Sequence, residues 1–183
     1  MAFEDDIKDA QKKLENLNKK AVPKATARAI NKVGAKVMVG SIASAAKEAD
    51  VPKRLIKGRA RLEKAKPSRL SAFIKVNRGN LPAIRLVAGK GSPFLTRGKR
   101  RGQLKVGKRF YERAFIQKLA NGRIHILQRK GKDRYPIDVV KIPLVKPLTE
   151  AFHSEVKKAL EKEMPKEMKT ALEHQIQLVV KNT

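Results

Sequence analysis

No cysteine occurs among the 183 residues, which excludes disulfides, cysteine-based zinc sites and thiol catalysis and gives no sign of an oxidising compartment. Tryptophan is absent too, and aromatic residues make up only 4% of the chain, so stacking platforms for single-stranded bases are scarce. The three histidines, His125, His153 and His174, lie neither four residues apart nor beside a carboxylate at ligand spacing, which argues against a metal site. The longest run without a charge, Val37 to Ala46, is too short to span a bilayer. The start, Met1-Ala2-Phe3-Glu4-Asp5-Asp6, is acidic where a secretory signal needs positive charge. The expectation is a protein made and kept in the cytosol unless it leaves inside a larger particle.

Acids are also in short supply: 17 Asp and Glu stand against 44 Lys and Arg, a formal charge of +27. Such self-repulsion calls for an acidic partner, whether nucleic acid, an anionic membrane or an acidic protein surface. With 41% apolar residues the chain can still bury a core. One domain over 1–183 is expected, with N-terminal helices over 1–66, an antiparallel sheet over 67–143 and C-terminal helices over 144–183.

No constellation for catalysis is visible. The serines lack a nucleophile-elbow context. Asp138 is the lone acid of its strand and reads as half of an ion pair with a nearby arginine. Gly89-Lys90-Gly91-Ser92 lacks the glycine that a phosphate loop places four residues earlier. No cofactor, metal or small-molecule substrate is implied.

Periodicity supplies the elements. Phe3, Ile7, Ala10, Leu14 and Leu17 form one helical stripe, with acids at the start and Lys19 and Lys20 at the end, as the helix dipole favours. Either this helix packs on its own domain or, because the stripe is narrow and close to a heptad, it pairs with a neighbouring subunit. Val22-Pro23 ends it and Pro23 opens the next helix, to about Asp50, whose face of Ala25, Ala29, Ile30, Val33, Val37, Ile42 and Ala45 is built from small residues. Gly34 and Gly40 suggest a close crossing or a kink. Asp50-Val51-Pro52 reads as the cap of a third helix carrying Lys53, Arg54, Lys57, Arg59, Arg61 and Lys64.

From Pro67 the period becomes alternating. Ser71–Val76 and Leu81–Val87 read as a hairpin joined through Asn77-Arg78-Gly79-Asn80. The stretch Ala114 to Arg129 reads as a central hairpin, two β-prone runs flanking Asn121-Gly122 as a type I′ turn. Ile124 and Ile126 face one way; Arg123, His125, Leu127 and Arg129 face the other. Tyr135–Pro143 offers a further strand with proline at both ends. Helices with Leu148, Phe152, Val156 and Leu160, then Met164, Met168, Leu172, Ile176 and Val179, close the chain, broken or restarted at Pro165. No internal repeat is evident. The fold class is α+β: a small antiparallel sheet flanked by N-terminal and C-terminal helices, with a long basic loop.

That loop, residues 89–109, holds five glycines and eight basic residues without an acid, a composition for a flexible cationic segment. Between Val51 and Phe110 the only acid is Glu63. Candidate contacts to nucleic acid or an acidic partner are therefore Lys90, Arg97, Lys99, Arg100, Arg101, Lys105, Lys108 and Arg109 in the loop, with Lys53, Arg54, Lys57, Arg59 and Arg61 before it. No groove-reading motif accompanies them, so contact with DNA would be to phosphate and blind to sequence.

Several blocks carry a resemblance: Ala29-Ile30-Asn31-Lys32-Val33, Lys75 to Pro82, Ala114 to Gln117, Asn121-Gly122-Arg123, Gln128-Arg129, Arg134 to Pro143 and Pro147-Leu148-Thr149. In order and interval they resemble the minor tail protein Z family of lambda-type siphophages. The resemblance implies a non-catalytic virion protein, a tail-completion component near the head–tail junction, assembled in the host cytoplasm with other tail and neck proteins. A ring of copies around the DNA conduit is the expectation that joins this resemblance to the charge. Two other readings share the charge: a free nucleic-acid-binding or ribosome-associated protein, and an assembly protein whose basic face binds acidic tail proteins.

Overall fold

A computed structural model describes residues 2–87, 95–97 and 102–181, with the backbone alone for residues 2–6, 9 and 95–97. The chain opens on α1 (Ala2–Asn16), passes through a π-turn (Leu17–Ala21) into α2 (Val22–Glu48), and makes the short α3 (Lys53–Lys57). Strands β1 (Ala60–Glu63), β2 (Phe73–Val76) and β3 (Leu81–Pro82) follow, then the single turn α4 (Ile84–Val87). Next come β4 (Leu95–Arg97), β5 (Gln103–Val106), β6 (Arg109–Glu112), β7 (Ala114–Lys118), β8 (Ile124–Arg129), β9 (Ile137–Val139) and β10 (Lys141–Ile142). Helix α5 (Val145–Lys158), a second π-turn (Ala159–Glu163) and α6 (Met164–Lys181) close the described chain.

The two prolines expected to break helices do not. Pro23 and Pro165 each stand two residues beyond the end of a π-turn. A proline has no N–H to donate and its ring crowds the carbonyl four residues back. The wider turn ahead of it loosens that crowding, so helix runs on through both sites.

The chain divides into two compact units. Unit 1 comprises 1–41, 60–76 and 151–183; unit 2 comprises 42–59 and 77–150. In unit 1, α2 and α6 pack through small residues, as the alanine-rich face of α2 predicts: Ala25, Ala29 and Ala171 are buried against Met168 and Leu172. Val33, Val37 and Ala159 form a second cluster with Ile74 and Met164. Gly40 marks a close approach, since a Cβ there would stand 2.7 Å from the Glu155 carboxylate. Lys32 reaches Glu167 at 2.6 Å, and Lys36 reaches Glu163 at 2.7 Å and Glu167 at 2.8 Å. Asn31 clamps one peptide from both sides: its amide donates to the Ala65 carbonyl at 2.9 Å and its oxygen accepts the Ala65 N–H at 2.7 Å. Within the α1 stripe Ile7, Ala10 and Leu14 are exposed, and Leu17 is half-buried.

The expected third helix is cut to five residues. Asp50, at φ 44°, is the left-handed residue that ends α2, with the Val51 N–H closing back on the Ala46 carbonyl at 3.0 Å. It caps no new helix; Pro52 holds that place without a side-chain cap. Residues 60–63 leave the helix for β1, which pairs antiparallel with β2 (Leu62 opposite Ile74). The hairpin expected between 71–76 and 81–87 is thereby replaced. Leu81 and Pro82 pair instead with Ile142 and Lys141, and Ile84–Val87 is a helical turn.

Unit 2 contains the central hairpin with Ile116 opposite Ile126, and β9 on the other side of β8. The strand expected over 135–143 is split at Val140, whose N–H donates to the Ile126 carbonyl and whose carbonyl accepts from Ala83, both at 2.9 Å. One residue thus ties two small sheets together. The turn differs from expectation: only Gly122 has positive φ (+77°), and the Gly122 N–H donates to the Leu119 carbonyl at 2.9 Å. This is a three-residue loop with glycine at the left-handed position, not a type I′ pair. The assigned faces hold only in part, since adjacent Ile126 and Leu127 are both buried while Ile124 is exposed. Ile56, Leu81, Leu86, Ile142, Leu144 and Leu148 complete this core.

The basic stretch 89–109 is loop only in part. β4 pairs with β5 and β5 with β6, a three-stranded sheet that takes in residues 95–97 and 103–109. Gly102 and Gly107, both at positive φ, turn the chain into and out of β5.

Candidate polyanion-binding surface

Of the thirteen cations singled out, Lys90, Lys99, Arg100 and Arg101 lie outside the described residues, and Arg97 is described by its backbone in β4 alone. The eight others separate into two kinds.

Four are committed to the fold or to a local partner. The Arg59 guanidinium donates to the carbonyls of Asn77 and Gly79, holding the turn that the Asn77 side chain closes on the Gly79 N–H at 3.0 Å. Burial, and then the neighbouring Arg85, push its pKa below the usual arginine value. Arg109 donates to the Ala49 carbonyl at 2.9 Å, a cation at the C-terminal end of α2 where the helix dipole favours one. Lys108 pairs with Asp50 at 3.3 Å. The Lys105 ammonium stands 5.4 Å from the Phe110 ring centroid.

The remaining four face solvent. Lys53, Arg54 and Lys57 are exposed on α3, a helix too short to persist without anchorage, which Ile56 provides as the residue of α3 that is fully buried. Arg61, in unit 1, lies on β1 directly opposite Lys75, and the like charges are relieved by Glu63, 2.6 Å from the Lys75 ammonium. Asn121 and Gly122 form the hairpin turn as assigned, with the Asn121 oxygen accepting the Arg123 N–H at 3.0 Å.

Asp138 is ion-paired, with Lys130 at 2.6 Å rather than with an arginine. The Nδ1 atom of His125 is buried without a hydrogen-bond partner among the described residues. No group of three His, Cys, Asp or Glu side chains suited to a metal occurs among the described residues. No helix among them is long and apolar enough to cross a membrane.

Sequence reasoning passed over one cationic feature. In unit 1 a groove of about 450 Å³ is lined by Lys13, Lys20 and Lys24 with the amides Asn16 and Gln175, over an apolar wall that includes Leu178. The available signal was spacing: seven and then four residues keep three lysines on one helical face.

The family profile of prophage minor tail protein Z matches residues 6–182. The tail completion protein of Escherichia phage N15 is 43% identical over 182 residues, covering 95% of this chain and 98% of that protein. Tail completion protein Z of Escherichia phage lambda is 44% identical over 188 aligned positions, covering 96% of this chain and 97% of that protein. No solved structure matches the chain. The chain belongs to the minor tail protein Z family.

Proposed function

We propose that this member of the minor tail protein Z family is a non-catalytic tail-completion component of a phage virion. It acts near the head–tail junction, assembles as a ring with other tail and neck proteins, and touches the DNA by phosphate contacts that ignore sequence. The tail role is supported by the two relatives, both named as tail completion proteins. The observation that carries the DNA contact is the sustained one-sign charge: a single acid between Val51 and Phe110, and Lys53, Arg54 and Lys57 presented together to solvent. Lysine and arginine neutralise phosphates without reading base edges, so DNA is retained yet free to slide during ejection. Assembly with other copies is supported by the exposed apolar residues of α1, where Ile7 is 44% and Leu14 65% exposed.

Titrating the purified protein with unrelated duplexes across a salt series tests the DNA contact. Binding should weaken steeply with salt and equally for every sequence. Absent or salt-insensitive binding removes DNA from the mechanism. A second reading, that the basic face docks acidic tail proteins, draws on the same charge. Neutralising Lys99, Arg100 and Arg101 together separates the two: under the DNA reading tails form but retain DNA poorly, and under the protein reading tail joining itself fails.

A further inference from the structure

The lysine-lined groove of unit 1 lies outside the basic stretch between Val51 and Phe110. Its three lysines are uncommitted: among the described residues none has an ion-pair partner, whereas Lys19 pairs with Glu15, and Lys32 and Lys36 pair with glutamates of α6. No acid lines the groove, and Asn16 and Gln175 add neutral N–H donors beside the ammonium groups. From Lys13 to Lys24 the helix advances about 16 Å at about 1.5 Å per residue, roughly five nucleotides at about 3.4 Å each along one strand. The site is a trough suited to a single backbone, with an apolar wall at Ala21 and Leu178 for the sugar faces.

We infer that this groove seats one strand of a DNA backbone, with Lys13, Lys20 and Lys24 each neutralising a phosphate. It rests on the DNA-contacting reading above and names a place for that contact apart from residues 89–109. The π-turn at Leu17–Ala21 carries Lys20 itself, so the helix irregularity that accommodates Pro23 also sets where the middle cation points.

The test uses the whole chain and short duplexes of unrelated sequence. One variant carries Lys13→Gln, Lys20→Gln and Lys24→Gln; a control carries Lys157→Gln, Lys158→Gln and Lys169→Gln, exposed lysines that remove the same charge elsewhere. All six sites are on the surface, and matching thermal melts show that both variants fold. Each lost phosphate contact lowers the slope of log binding constant against log salt by about 0.9. The groove variant should therefore lose about 3 from the slope, and the control clearly less. If the two variants lose equally, the groove has no special part, while the DNA reading stands. If the wild type shows no salt-dependent binding, both fall together. If the groove variant keeps its DNA affinity but no longer binds poly-glutamate, the groove faces an acidic protein and the inference is overturned.

Discussion

Truncating Ile56 to alanine tests how the core holds the cations in place. Ile56 is 0% exposed, on a helix of five residues whose Lys53, Arg54 and Lys57 face solvent. Removing three buried carbons at about 0.8 kcal/mol each gives about 2.4 kcal/mol. A partly collapsed cavity adds about 1, for a total of about 3.5 kcal/mol, within the range of about 2–5 found for such truncations. For a chain of this size that is roughly a 7–14 °C fall in Tm. Urea unfolding followed by far-UV circular dichroism should show a lower midpoint with an unchanged slope. Leu55→Ala, at a half-buried neighbour, should cost about half as much. A loss below about 1 kcal/mol for Ile56→Ala would refute the view that α3 is fastened by this side chain.

Gly122→Ala places a Cβ at φ +77° in open space, so it should cost about 1 kcal/mol from backbone conformation alone, with Gly122→Asn costing less; denaturant midpoints of the two variants decide this. Hydrogen bonds from Lys36 to Glu163, and from Lys32 and then Lys36 to Glu167, hold both carboxyls below the usual range. Their stabilisation is present above about pH 4.3 and is lost as pH falls through the depressed folded values; Glu163→Gln with Glu167→Gln should flatten the acid limb of a stability–pH curve. Lys36 is pushed up to about 12 by Glu163 and then Glu167, so its share persists below its ordinary value and fades only as pH rises toward that point. Leu14→Glu should disrupt assembly without appreciably lowering the Tm of the isolated chain, as sedimentation and thermal melts would show, because Leu14 is 65% exposed in its own copy.

The parts of the fold set by local pattern were legible in the sequence. Alternation about Asn121-Gly122 located the β7–β8 hairpin, and the small residues of α2 pointed to a close helix crossing without naming α6 as the partner. What escaped was decided at a distance. Nothing local says that a π-turn carries helix past Pro23 and Pro165, or that Leu81-Pro82 pairs with residues sixty positions on. The basic helix expected over 53–64 stops early because β2 recruits Ala60–Glu63 as a partner strand. Charge was legible as a total and less so as a site: Arg59 and Arg109 look like any other cation in the sequence, yet the fold spends both on backbone carbonyls. The groove lysines were visible only as part of a helix with a basic end.

The most direct test of the central claim is a cryo-electron microscopy map of the assembled tail joined to its head, in which this chain is located relative to the channel axis. The account predicts a ring of copies at the head-proximal end, with Lys53, Arg54 and Lys57 or the groove lysines within reach of the DNA backbone. Copies that lie outside the channel, with those cations covered only by acidic protein, would contradict it.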